Sequence, residues 1–268
     1  MTQINRAIGG SMEWTAGAGL AGKGVVVTGG GGGIGKAVAT AFANYGSRVC
    51  VVDIDEAVAA AAAAELPNPD QHMSIGQDLR ELGAHDAMFE RVLRQLGRVD
   101  VLAHLAAVLR RRYDIDEVTE EDWDFQVDTN LKSTFFLDRS AAQIMRAQGR
   151  GGRIINFTSQ GWWTGGFGGS VVYNAAKGGV ATMTRGLART YAKQGITVNA
   201  VAPGFVDTPM MRDGSLNEAQ LQELADQVPI GRMAEPDEVA GAVVFLASDH
   251  ARYITGATIN VSGGFLMY

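Results

Sequence analysis

The 268-residue chain predicts an α/β fold, a doubly wound parallel sheet of about seven strands flanked by helices on both faces. Two patterns and the composition point to it. Short β-rich runs alternate with longer helical stretches along most of the chain, the rhythm of βαβ units. Most of those runs are continuously apolar, as strands covered on both faces are. At 46% hydrophobic and 19% charged residues, the composition is that of a packed globular chain.

The runs predict strands over residues 24–28, 48–52, 73–77, 99–105, 153–157, 197–201 and 258–261. Helical patterns fall between or after them, over 35–44, 54–65, 79–96, 119–148, 173–193 and 236–248. The alanine-rich stretch within 57–64 is read as a small-faced helix, because alanine is the best helix former. Pro67-Asn68-Pro69 is a turn, not a linker. Residues 1–21 read as a variable leader and 22–268 as one domain. Residues 209–228, with Gly214, polar residues and Met210-Met211, read as a substrate lid.

Charge and composition narrow the function classes. The net charge is −6, with no basic stripe and no zinc-finger spacing, so neither a nucleic-acid partner nor a bound metal is expected. Arg110-Arg111-Arg112 is the one short basic run; it fits a solvated loop cluster or a carboxylate site. No apolar run reaches the roughly 20 residues of a membrane span, and the N-terminus lacks the apolar core of a signal peptide. The single cysteine, Cys50, lies in an apolar run and suits a reducing, cytoplasmic setting.

The first strand runs directly into Thr28-Gly29-Gly30-Gly31-Gly32-Gly33-Ile34-Gly35, and a helix follows. Glycine lets backbone approach a ligand closely, and a helix N-terminus offers free N–H groups and partial positive charge to a pyrophosphate. The strand–loop–helix setting makes this a nucleotide site instead of a flexible linker. Asp53 ends the second strand, where a carboxylate can accept from the ribose hydroxyls and repel a 2′-phosphate. No Arg or Lys stands in the glycine loop, so NAD is favoured over NADP.

These residues and several others, in order, resemble the short-chain dehydrogenase/reductase family from about Gly22 to Gly264. The carriers are Thr28-Gly29-x-x-x-Gly33-x-Gly35, Asp78, Asn130 in Thr129-Asn130-Leu131, Ser159, Tyr173-x-x-x-Lys177, Pro203-Gly204 and Thr208. The resemblance implies a single-domain Rossmann fold. It implies a catalytic set of Asn130, Ser159, Tyr173 and Lys177, Asn130 holding a proton-relay water. It implies a cofactor site of Gly29, Gly32, Gly33, Ile34, Gly35, Asp53, Ile54, Asp78, Leu79, Ala106, Tyr173, Lys177, Pro203, Gly204, Val206 and Thr208. It also implies a homotetramer, and the apolar C-terminal segment from Phe265 to Tyr268 suits burial against a partner subunit. One motif departs: where the family has Asn-Asn-Ala-Gly, this chain has His104-Leu105-Ala106-Ala107. His104 sits in an apolar strand and is read as a satisfied core histidine.

The expected chemistry is interconversion of an alcohol and a ketone by hydride transfer. Tyr173 and Lys177 share a helix face at i, i+4, so Lys177 is expected to favour the phenolate. Ser159 would orient the substrate oxygen beside Tyr173. Gln160 and Trp162, directly after it, are candidate substrate contacts. Trp162 and Trp163 could equally stack on a sugar or pack at a subunit interface. A polyol, sugar or cyclic hydroxy compound fits such a pocket, and so does a steroid or other apolar ketone. The alternatives are an NADP-dependent ketoreductase and an NAD(H)-binding sensor without turnover.

Overall fold

The computed structural model describes residues 15–166, 168–212, 214 and 216–268. Seven parallel strands form one sheet in the order β3-β2-β1-β4-β5-β6-β7. They are β1 (Gly24–Thr28), β2 (Arg48–Asp53), β3 (Met73–Gly76), β4 (Val101–His104), β5 (Gly152–Phe157), β6 (Ile196–Pro203) and β7 (Thr258–Val261). All seven predicted strands are present, and the doubly wound Rossmann architecture is confirmed.

The apolar runs are continuous because successive side chains point to opposite, equally covered faces. In β1, Val25 and Val27 face one cluster with α1 (Gly33–Asn44), α2 (Glu56–Ala64) and α9 (Pro236–Ala247). Val26 faces the other, with α3 (His85–Leu96), α5 (Ser133–Gln148) and α7 (Val171–Tyr191). Cys50 alternates in the same way on β2 and is fully buried, which raises its thiol pKa to about 12 and makes it an inert core residue. Asp55 caps α2 by accepting from Ala57 and Val58 N–H. Asn68 takes the left-handed conformation in its turn.

The helix predicted over 119–148 is broken. It divides into α4 (Glu120–Val127), a π-helical turn Asp128–Lys132 and α5. Periodicity could not show this, since one inserted residue leaves apolar spacing nearly intact on either side. The predicted helix over 79–96 likewise begins only at His85, after a 3-10 turn Leu82–Ala84. Two helices had no separate forecast: α6 (Gly161–Thr164), in the loop after β5, and α8 (Glu218–Asp226), inside the predicted lid.

Of the leader read over residues 1–21, residues 1–14 lie outside the described residues. The rest packs on the domain, so the fold reaches ahead of Gly22. Leu20 is buried, its carbonyl accepts from Ser47 Oγ, and the Ala18 carbonyl accepts from Asp249 N–H. Among the described residues no helix is long and apolar enough to cross a membrane.

Chain order reverses at β1, which has β2 on one side and β4 on the other. The loops leaving β1 and β4 therefore diverge and open a crevice at their C-terminal ends, where open α/β sheets bind ligands.

Candidate active site

A cleft of about 490 Å³ occupies that position. All the residues named from sequence for the cofactor line it: Gly29, Gly32, Gly33, Ile34, Gly35, Asp53, Ile54, Asp78, Leu79, Ala106, Tyr173, Lys177, Pro203, Gly204, Val206 and Thr208. So do Ser159 and Gln160. Asn130 stands behind its wall, and Trp162 is elsewhere.

The glycine loop is fitted to its neighbours. Gly29 has φ +63°, and a Cβ there would lie 2.8 Å from Ala106 N. A Cβ on Gly35 would lie 1.9 Å from the Gly29 carbonyl oxygen. At Gly32 a Cβ would meet nothing within 4 Å, so this glycine borders open space. Gly32 also precedes the first turn of α1, whose free N–H groups and positive dipole end face the cleft. Such a cradle fits a dinucleotide pyrophosphate. Asp53 braces the loop, Oδ2 accepting from Gly31 N–H (3.0 Å) and Oδ1 from Ile54 N–H (2.8 Å). Exposed Ile54 and buried Leu79 offer apolar surface beside it, suited to an adenine ring. The Asp78 carboxylate is held below the usual range by the Arg80 guanidinium that pairs with it at 2.5 Å.

β5 carries Ser159 just past its end, and α7 carries Tyr173 and Lys177 one turn apart. Ser159 and Tyr173 line the same cleft, close enough for the Ser159 hydroxyl to act on the Tyr173 phenol. Lys177 Nζ donates to the Phe157 carbonyl (2.8 Å) and lies 5.6 Å from the Tyr173 ring centroid. Lys177 is buried and Tyr173 partly so. Burial pushes Tyr173 up to about 12, opposed by the Ser159 hydrogen bond and the charge of Arg111. Burial likewise pushes Lys177 down to about 8. The expected lowering of Tyr173 by Lys177 is therefore not found in the cofactor-free chain. Desolvation dominates, and the ammonium is turned to a backbone carbonyl instead of the phenol oxygen.

Asn130 lies in the π-helical turn and is fully buried. Its Nδ2 donates to the Val108 carbonyl (2.8 Å) and its Oδ1 accepts from Val108 N–H (2.9 Å). The side chain thus pairs with the loop after β4 as a neighbouring strand would. The π-turn is what aims it there, and it fixes the loop that forms one wall of the cleft.

His104 is a satisfied core histidine. Thr134 Oγ1 donates to the Asn130 carbonyl (2.9 Å), so it must accept from His104 Nε2 (2.9 Å). His104 Nδ1 then accepts from Thr28 Oγ1 (2.7 Å), and that oxygen accepts from Leu105 and Ala106 N–H (3.2 Å each). One polarised chain joins the phosphate-loop strand to the Asn130 turn. Full burial pushes His104 down to about 3. The unfolded chain therefore takes up the proton first, and this contribution to stability is lost as pH falls from about 6.5 towards 3. His104→Leu, which strands two buried hydroxyls, should cost roughly 2–4 kcal/mol in urea unfolding at neutral pH. The loss should shrink as pH falls from about 6 to 4; a constant difference would count against this account.

The basic run divides. Arg110 and Arg112 both pair with buried Asp122 (2.9 and 2.7 Å), holding its carboxyl well below the usual carboxylate range. They are structural and not a solvated cluster; only Arg111 lines the cleft. Trp162 packs edge-on against Trp163 and the C-terminal Tyr268, with ring centroids 5.2 and 5.5 Å away. Its place in the sequence stands beside the substrate region, but α6 turns its ring away from the cleft. Two further cleft residues escaped notice. Thr164 ends α6, and Asn174 pins the loop, its amide donating to the Ser170 carbonyl (2.8 Å). The close approach of Gly161 and Gly166 to Asn174 was the available signal, and only the folded loop reveals it.

Comparison with known proteins agrees with this geometry. Residues 29–266 match a family model described as enoyl-(acyl carrier protein) reductase. The 2-dehydro-3-deoxy-D-gluconate 5-dehydrogenase of Escherichia coli (strain K12) is 36% identical, over 92% of this chain and 96% of that protein. The 3-oxoacyl-[acyl-carrier-protein] reductase FabG of Vibrio cholerae serotype O1 is 39% identical, over 92% and 99%. The crystal structure of gox2181 superposes with a TM-score of 0.86 at 35% identity, over 91% of this chain and 96% of that one. With the sheet order, the fitted glycine cradle and Ser159, Tyr173 and Lys177 on one cleft, the chain belongs to the short-chain dehydrogenase/reductase family, oxidoreductases that act on hydroxyl and keto groups with an NAD(P) cofactor.

Proposed function

We propose that this chain is an NAD-dependent enzyme interconverting a secondary alcohol and a ketone, with Tyr173 as general acid/base. The observation that carries it is that Ser159, Tyr173 and Lys177 line one cleft together with the glycine loop and Asp53. NAD, when bound, would supply or accept the hydride. The glycine loop and the first turn of α1 would hold its pyrophosphate, and Pro203, Gly204, Val206 and Thr208 the nicotinamide end.

Ser159 Oγ orients the substrate oxygen towards Tyr173 Oη. For ketone reduction, the neutral phenol gives its proton to that oxygen. For alcohol oxidation, the phenolate takes it. Lys177 keeps positive charge under the tyrosine ring, and Asn130 holds the loop wall in place. Gln160, which lines the cleft directly after Ser159, is the proposed contact for a substrate hydroxyl. Residues 209–228 serve as the lid; Asp213 and Ser215 of that stretch lie outside the described residues.

Asp53 supports NAD over NADP, because a 2′-phosphate would have to approach a carboxylate already fixed by two N–H groups. Titration should show NADH binding about 100-fold tighter than NADPH, with Asp53→Asn narrowing that ratio at least about tenfold. Tighter NADPH binding would make the enzyme an NADP-dependent ketoreductase. NADH binding without turnover on any alcohol or ketone would make it a sensor.

A cytoplasmic homotetramer acting on a small-molecule alcohol or ketone completes the proposal. Met267, Tyr268, Trp163 and Val171 leave apolar surface exposed, as an interface would require. The substrate is a polyol, sugar or cyclic hydroxy compound. The sugar acid in the name of the Escherichia coli relative is in keeping with that class.

A further inference from the structure

We infer that Arg111 is a carboxylate-binding subsite and that the substrate is a hydroxy or keto acid. The inference rests on the oxidoreductase reading of the same cleft and specifies its substrate class.

The cleft's formal charges are Asp53, Asp78, Arg80, Arg111 and Lys177. Asp78 and Arg80 neutralise each other by a bidentate pair, and Asp53 is engaged by the glycine loop. All three lie at the end suited to adenosine. At the substrate end, Lys177 is buried against the Phe157 carbonyl behind the tyrosine ring. That leaves Arg111 as the cation facing an incoming ligand.

Arg111 also differs from its two neighbours in sequence. Arg110 and Arg112 spend their guanidinium groups on Asp122, while Arg111 has no carboxylate partner among the described residues. Of its five N–H donors, one is used, Nη1 donating to the Gly168 carbonyl (3.1 Å); Nε is buried without an acceptor. The Gly168 bond anchors the side chain across the cleft mouth, and Arg112 N–H donating to the Gly169 carbonyl (3.0 Å) ties the two loops together. The guanidinium is thereby held in place but not neutralised. It lines the same cleft as Ser159 and Tyr173. A held, under-satisfied guanidinium suits a planar anion that accepts two hydrogen bonds.

The test is steady-state turnover on short-chain hydroxy and keto acids, each paired with its primary amide. The amide keeps size and hydroxyls and removes the charge. We expect acids to exceed their amides in kcat/KM by about tenfold or more. Arg111→Gln should abolish that preference, raising KM for the acids far more than for their amides; Arg111→Lys should restore part of it. Amides turned over as well as acids, or an acid preference that survives Arg111→Gln, would overturn the subsite and leave the oxidoreductase reading standing. Turnover of neutral alcohols or ketones with none of any acid would overturn the subsite alone; no turnover of any alcohol or ketone, charged or neutral, despite NADH binding, would overturn both.

Discussion

Tyr173→Phe is expected to lower kcat by about 10²–10⁴-fold, the usual contribution of a positioned acid/base. NADH affinity should be nearly unchanged. The ring stays in place on α7 and only the hydroxyl beside Ser159 is lost. Single-turnover reduction followed at the NADH absorbance band separates the chemical step from binding. Activity retained in Tyr173→Phe would sink the mechanism. The pH dependence should be asymmetric. Burial pushes Tyr173 up to about 12, so its proton is present throughout the neutral range and ketone reduction should be flat there. Alcohol oxidation needs the phenolate and should climb with pH. A reduction rate that rises with pH in parallel would contradict this assignment.

Gly35→Ala should be the most damaging single methyl group near the cleft. The added Cβ would lie 1.9 Å from the Gly29 carbonyl oxygen, a backbone atom of the same loop that cannot rotate away. The loop must move, and the cradle with it. Overpacking of this kind costs roughly 1–3 kcal/mol, or several degrees of melting temperature. NADH affinity should fall at least about tenfold, because pyrophosphate binding depends on the placement of that loop's N–H groups. Gly32→Ala makes the comparison, since a Cβ there meets nothing. Equal affinity for Gly35→Ala and the unaltered chain would show that the loop tolerates displacement.

The order of seven strands was legible because both faces of this sheet are covered. Burial on both sides writes strands as unbroken apolar runs, and glycine loops and helix periods separate them. The cofactor-lining residues were legible for a related reason: close backbone approach admits few residue types, so the chemistry appears in the sequence as Gly29 to Gly35 and a strand-end Asp53. Tyr173, Lys177 and Ser159 were legible through helical spacing and resemblance. The π-turn at Asn130 was not, because an inserted residue hardly alters apolar periodicity. The sharing of charge among Arg110, Arg111 and Arg112 was also hidden. It depends on Asp122, a buried carboxylate that the fold of α4 carries to two of the three. Trp162 shows the same limit: its sequence position placed it by the substrate, yet α6 and the C-terminal Tyr268 decide where its ring packs.

By itself, then, the sequence determined the sheet and the glycine loop and brought Tyr173 and Lys177 onto one helix face, since each follows from local pattern and spacing. The tertiary structure alone decided the electrostatics: that desolvation raises Tyr173, and that Arg111 has no counter-ion among the described residues of the cleft. Desolvation and charge pairing depend on distances between segments far apart in the chain, and those distances exist only once it has folded.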